Sequence, residues 1–101
     1  MVFLRALRER IRLGEITCTV RMWQSPRVKV GGLYALAPGA VRVTKIAEIM
    51  LEDVTPALAR RSGFAGVVEL LKVAKHGAGR RLFLVEFQYV GPSGRRGRRK
   101  G

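Results

Sequence analysis

Apolar and polar positions change period several times along this chain, and each change marks an element. Leu4, Leu7 and Ile11 recur at i, i+3 and i+7, and Arg5, Arg8 and Arg12 repeat that spacing on another face. The pattern predicts an amphipathic helix over residues 3–13. Gly14 follows it, a residue that enters the left-handed conformation cheaply and so ends helices. Over residues 16–22 the period becomes two. Ile16, Cys18, Val20 and Met22 point one way and Thr17, Thr19 and Arg21 the other, which predicts a half-buried strand with a polar face. Residues 24–29 (QSPRVK) predict a basic loop, residues 30–32 a turn, residues 33–37 a short strand, and Pro38-Gly39 a second turn.

Residues 40–51 predict a long strand with Val41 and Val43 inward and Arg42 and Thr44 outward. The alternation slips near Lys45-Ile46, the mark of a bulge or bend. Thr55 followed by Pro56 places a capping hydroxyl and a preset φ at a helix start. That helix ends at Ser62-Gly63, and a second runs over residues 65–75 with Val67, Val68, Leu71 and Ala74 apolar. Lys72, Lys75 and His76 fall toward its negative end, where cations are favoured. After a turn at residues 77–79, residues 81–90 predict a last strand with Phe83, Val85, Phe87 and Tyr89 on one face. The order α-β-β-β-α-α-β predicts the α+β class: a small curved mixed sheet or partial barrel with flanking helices.

Length and charge sharpen this picture. The chain has 101 residues, one domain's worth, and 48% are apolar, too many for a disordered chain. Twenty Lys and Arg face seven Asp and Glu, a formal charge of +13. Residues 91–101 are Gly, Pro, Ser and Arg/Lys. They carry Arg95, Arg96, Arg98, Arg99 and Lys100 without an acid, and predict a disordered basic tail behind a domain of residues 1–90. Fifteen cations against seven acids remain in that domain, so it is basic in its own right. Such a field captures polyanions. Nucleic acid is the first expected partner, an anionic membrane surface the second and acidic proteins the third. The absence of Asn, with two Gln, fits a heat-adapted source or GC-rich coding. No apolar run reaches the length of a membrane span. Residues 1–13 carry four arginines and do not read as a signal peptide, so the expected location is cytoplasmic.

Candidate chemistry is sparse. One cysteine, Cys18, makes no disulfide, and one histidine, His76, has no Cys or second His near it in sequence, so no metal site and no cofactor are expected. Trp23 stands beside Arg27 and Lys29. It is either a platform for a splayed base between phosphate-binding cations or a core residue. The Arg5/Arg8/Arg12 face is either a solvated helix face or one wall of a basic groove. Arg42 and Lys72 are further candidate phosphate contacts. The tail cations would hold phosphates without reading bases.

Three stretches together resemble the ASCH domain of the PUA-like fold: GEITCTVR at residues 14–21, VGGLYAL at 30–36, and EDVTPALARRSGFAGVVELLK at 52–72 followed by a strand ending VEFQYV. The resemblance covers about residues 3–90. It implies a small β-barrel whose helices flank a cleft, and RNA binding; some members hydrolyse RNA or modified nucleosides. The family motif Gly-x-Lys-x-x-Glu-x-Arg falls here on Gly14, Ile16, Thr19 and Arg21. Thr in place of Glu is similar to the branch that deacetylates N4-acetylcytidine, which also uses a Glu on the later helix, and Glu69 stands there. The resemblance therefore implies Thr19 and Glu69 as a candidate catalytic pair. The motif Lys, however, is Ile16, which supplies neither charge nor proton. Lys45 and Lys72 are possible substitutes. The two expectations are a nucleic-acid-binding module with RNA ahead of DNA, and, as the alternative, an N4-acetylcytidine amidohydrolase-like enzyme or a ribonuclease.

Overall fold

The computed structural model describes residues 3–75 and 79–91. Their elements are α1 (Arg5–Arg12), β1 (Cys18–Trp23), β2 (Leu33–Leu36), β3 (Gly39–Ile49), a 3-10 turn (Leu51–Asp53), α2 (Pro56–Arg61), α3 (Val67–Ala74) and β4 (Arg81–Val90). The order is the one the periodicity predicts. The strands form one curled half-barrel sheet in the spatial order β1-β4-β3-β2. Every pairing is antiparallel, so the sheet is not mixed. β3 ends at Ile49, short of residue 51, because the chain turns there into the 3-10 turn, where the Asp53 carboxylate accepts from the Met50 N–H at 2.8 Å.

The stops of α1 and α2 both rest on glycine. After α1, Glu15 N–H donates to Arg10 C=O and Gly14 N–H to Ile11 C=O, with Gly14 at φ +80°. After α2, Phe64 N–H donates to Ala59 C=O and Gly63 N–H to Arg60 C=O, with Gly63 at φ +94°. These paired bonds satisfy the last carbonyls of each helix and require the left-handed residue between them. At its other end α2 begins as expected: the Thr55 hydroxyl accepts from Leu58 N–H at 3.2 Å and Pro56 holds the first turn.

The central strand β4 buries side chains on both faces, and two apolar clusters result. On the first face, Phe83, Val85 and Phe87 of β4 and Val41 and Val43 of β3 pack with Phe3 and Ile11. α1 covers this face, and the Phe3 ring meets the Phe87 ring edge-on at 5.2 Å. On the second face, Leu82 of β4 and Cys18 and Val20 of β1 pack under Leu58 and Ala59 of α2 and Leu70 and Ala74 of α3. Cys18 is buried, its Sγ 3.6 Å from the Ser62 hydroxyl.

Two expectations about the first helix and strand change. The apolar stripe that packs inward is Phe3, just ahead of α1, with the half-buried Leu7 and the buried Ile11, whereas Leu4 is 45% exposed at the cap position. Ile16 does not share a face with Cys18. It lies ahead of β1, where alternation has not begun, and joins the α1-side cluster. The predicted slip in β3 is present: the pairing passes from Val43↔Phe87 to Lys45↔Glu86, leaving Thr44 as the extra residue of a bulge.

Candidate nucleic-acid interface

The site expected from the sequence centres on β1, and alternation puts Thr19, Arg21 and Trp23 on the α1 side. That face is covered. Trp23 is only 6% exposed and packs against the Phe83 ring at 6.0 Å. Its indole is core, not a platform offered to a base. Arg21 is half-buried, with its guanidinium over the Phe3 ring at 5.2 Å and its Nε donating to the Thr19 hydroxyl at 3.3 Å. Burial lowers the Arg21 pKa from its ordinary value. It stays a cation near neutral pH all the same, since arginine does not deprotonate in proteins. Thr19 is 8% exposed and Arg21 is half-buried, so of the polar face predicted for this strand only Thr17, ahead of β1, is exposed.

Glu69 lies elsewhere. It is exposed in the first turn of α3, and its carboxylate folds back toward Gly66 at the helix start. A negative charge there complements the helix dipole. α3 packs on the second face, through Leu70 and Ala74 against Cys18 and Val20. Thr19 and Glu69 are therefore on opposite sides of β1. Ile16, at the motif Lys position, is buried beside Leu7 and Gly63. Lys45 shares the second face with Glu86, and Lys72 is exposed on α3, so neither replaces it beside Thr19. A threonine nucleophile needs a base in contact. The contact seen on the Thr19 hydroxyl is with an arginine, which donates only. Among the described residues no three His, Cys, Asp or Glu side chains group to hold a metal ion.

Most expected phosphate contacts are on the surface. Arg5, Arg8, Arg12, Arg27, Lys29, Arg42 and Lys72 are all exposed. Some have structural work. Arg12 pairs with Glu9, and Arg8 Nε donates to the Phe3 carbonyl at 3.2 Å. Arg10, which the sequence did not single out, pairs with Glu15 at 3.3 Å. Arg81 is the most engaged: its fork meets Glu48 at 2.7 and 3.1 Å, it donates to the Gln24 carbonyl at 2.7 Å, and it lies over the Phe83 ring at 5.0 Å. The bond to Arg81 holds the Glu48 carboxyl below its ordinary pKa and raises that of Arg81. Among the described residues, no acid is within ion-pair distance of Arg5, Arg27, Lys29, Arg42 or Lys72. The same holds for the exposed cations Lys45, Arg60 and Arg61. Arg95, Arg96, Arg98, Arg99, Lys100 and His76 lie outside the described residues.

Among the described residues, no helix is long and apolar enough to cross a membrane. No known protein family, curated protein or solved structure matches the chain.

Proposed function

We propose that this protein is a binding module for single-stranded nucleic acid, RNA ahead of DNA, that holds its ligand chiefly through phosphate contacts. The observation that carries the reading is the fate of the acids. Of the seven acids, Glu9, Glu15 and Glu48 are matched to Arg12, Arg10 and Arg81, Glu52, Asp53 and Glu69 sit in the first turns of helical segments, and Glu86 stands across the sheet from Lys45. What remains is a surface on which, among the described residues, exposed cations outnumber exposed acids, the footprint expected of a polyanion binder. The preference for RNA rests on the sequence resemblance to ASCH domains, with which a small antiparallel half-barrel with flanking helices is compatible. Hydrolysis by Thr19 with Glu69 has no part in the reading, because the two residues do not face a common space.

Fluorescence anisotropy with labelled oligouridylate, oligodeoxythymidylate and a duplex, each over a salt series, tests it. Single strands should bind, with log K falling linearly in log salt by about 0.7 per phosphate neutralised. Absence of binding to every probe at low salt would overturn the reading, and a preference for duplex would replace its ligand.

A further inference from the structure

The two faces of the sheet are unequally covered. On the α2/α3 side, the rows holding Leu82 with Met22 and Leu84 with Val20 pass beneath the helices. Among the described residues, no helix lies over the part of that face made by Leu33, Arg42, Lys45 and Gln88, while the row of Lys45 and Glu86 ends on Cys18, which is buried under α2 and α3. In register, Ala35, Ala40 and Val90 form one row, Leu33, Arg42 and Gln88 the next, and Lys45 and Glu86 a third. Leu33 is 57% exposed, and Arg42, Lys45 and Gln88 are exposed beside it. The Thr44 bulge creates this grouping. Positions 42 and 45 would fall on opposite faces of a regular strand, and the extra residue returns Lys45 to the face of Arg42.

We propose that this open face is where the single strand is read: a base lies on Leu33 and the Arg42 guanidinium, the Gln88 amide bonds a base edge, and Lys45 holds a phosphate. The proposal rests on the nucleic-acid reading above and specifies its site. The chemistry of the face selects the ligand. A guanidinium plane stacks on bases and is cationic at once. An amide offers donors and an acceptor together, as a base edge does. The small Ala35 and Ala40 leave the neighbouring surface low, and an exposed leucine beside two exposed cations, with Glu86 half-buried across from Lys45, calls for a partner that is anionic and has apolar flat surfaces. Unpaired nucleotides are both. A second copy of this chain fits poorly, since it would bring Arg42 and Lys45 near their own counterparts on a chain of charge +13. The opposite face offers no such platform, because Phe3, Leu7 and Ile11 fill it.

The test uses the full chain and a labelled oligouridylate of about 12 nucleotides, within the site sizes of single-strand binders. Arg42→Ser/Lys45→Ser is compared with Arg5→Ser/Arg12→Ser, which removes the same charge from the α1 side. The first pair should weaken binding about tenfold more than the second, since only it loses stacking as well as charge. Leu33→Ser, which removes no charge, should weaken binding about three- to tenfold and leave the salt slope unchanged. All five positions are exposed, and circular dichroism checks that each variant is folded. Equal losses in the two charge pairs, or no loss with Leu33→Ser, would overturn the proposal and leave general phosphate binding standing. A wild-type chain that binds no probe would remove the reading beneath it. A dimer in sedimentation that Leu33→Ser dissociates would assign the face to a second copy instead.

Discussion

Gly63 carries more at the residue scale than a helix stop. Its φ of +94° already disfavours any side chain, and a Cβ there would stand 2.6 Å from Ile16 Cδ1 and 2.8 Å from Leu7 Cδ2. The glycine therefore lets the end of α2 approach α1 and the segment leading into β1. Gly14 has a similar φ of +80° with nothing within 4 Å of an added Cβ. The pair separates two effects. Gly14→Ala should cost about 1–2 kcal/mol, the left-handed penalty alone. Gly63→Ala should cost about 1–3 kcal/mol more, because Leu7 and Ile16 must move. Urea unfolding of both variants measures the difference, and equal losses would mean that the contact relaxes freely. Trp23 makes the second residue-scale case. As a core side chain against Phe83, Trp23→Ala should cost about 3–5 kcal/mol of stability. Binding per folded molecule should stay near wild type. A stable variant that has lost RNA binding would return the indole to the ligand.

The elements show which signals a sequence carries openly. Long alternations and caps were legible: the Thr55-Pro56 start of α2, the glycine stops, and the slip in β3 are where residue chemistry puts them. What the slip does was not legible, because pairing partners are set by the whole sheet. Only the register shows that it puts Lys45 beside Arg42 and sends Ile46 toward Phe87's cluster. The polar face of β1 misled for a related reason. Thr19 and Arg21 alternate as exposed residues do, but Phe3, from outside the strand, stacks against the Arg21 guanidinium, and Arg21 in turn bonds Thr19. Between strands, the Arg81–Glu48 pair ties β4 to β3 with a pH signature of definite sign. The folded-state pKa of Glu48 is depressed, so the pair's contribution is present above the carboxyl's unfolded pKa. It is lost as pH falls through the folded value. Glu48→Gln should thus lower the melting temperature slightly near neutral pH and converge with wild type in acid. Parallel melting curves at both pH values would show a constant offset if the pair made no difference.

For the whole molecule, two sources of positive charge act on any bound strand, and they differ in kind. The folded domain fixes its cations on a frame, so their spacing selects where phosphates lie. The Arg/Lys-rich residues 91–101 add five charges without an acid. Ends of this composition contact phosphates wherever these are found. The domain keeps fifteen cations against seven acids without them, so capture does not depend on the tail alone. Deleting residues 91–101 should therefore reduce the salt slope by up to about 0.7 for each of the lost cations that touches a phosphate, and weaken binding at low salt. It should leave the melting temperature and the loss caused by Leu33→Ser unchanged, because neither depends on non-specific charge. Anisotropy titrations of the truncated chain and its Leu33→Ser variant at two salt concentrations make the measurement. If truncation abolished binding at every salt concentration, the domain's own field would be too weak to hold a strand, and the tail rather than the sheet would be the ligand-binding element. If truncation left the slope unchanged, the phosphates would all lie on the domain, and the five tail cations would serve something other than the bound strand.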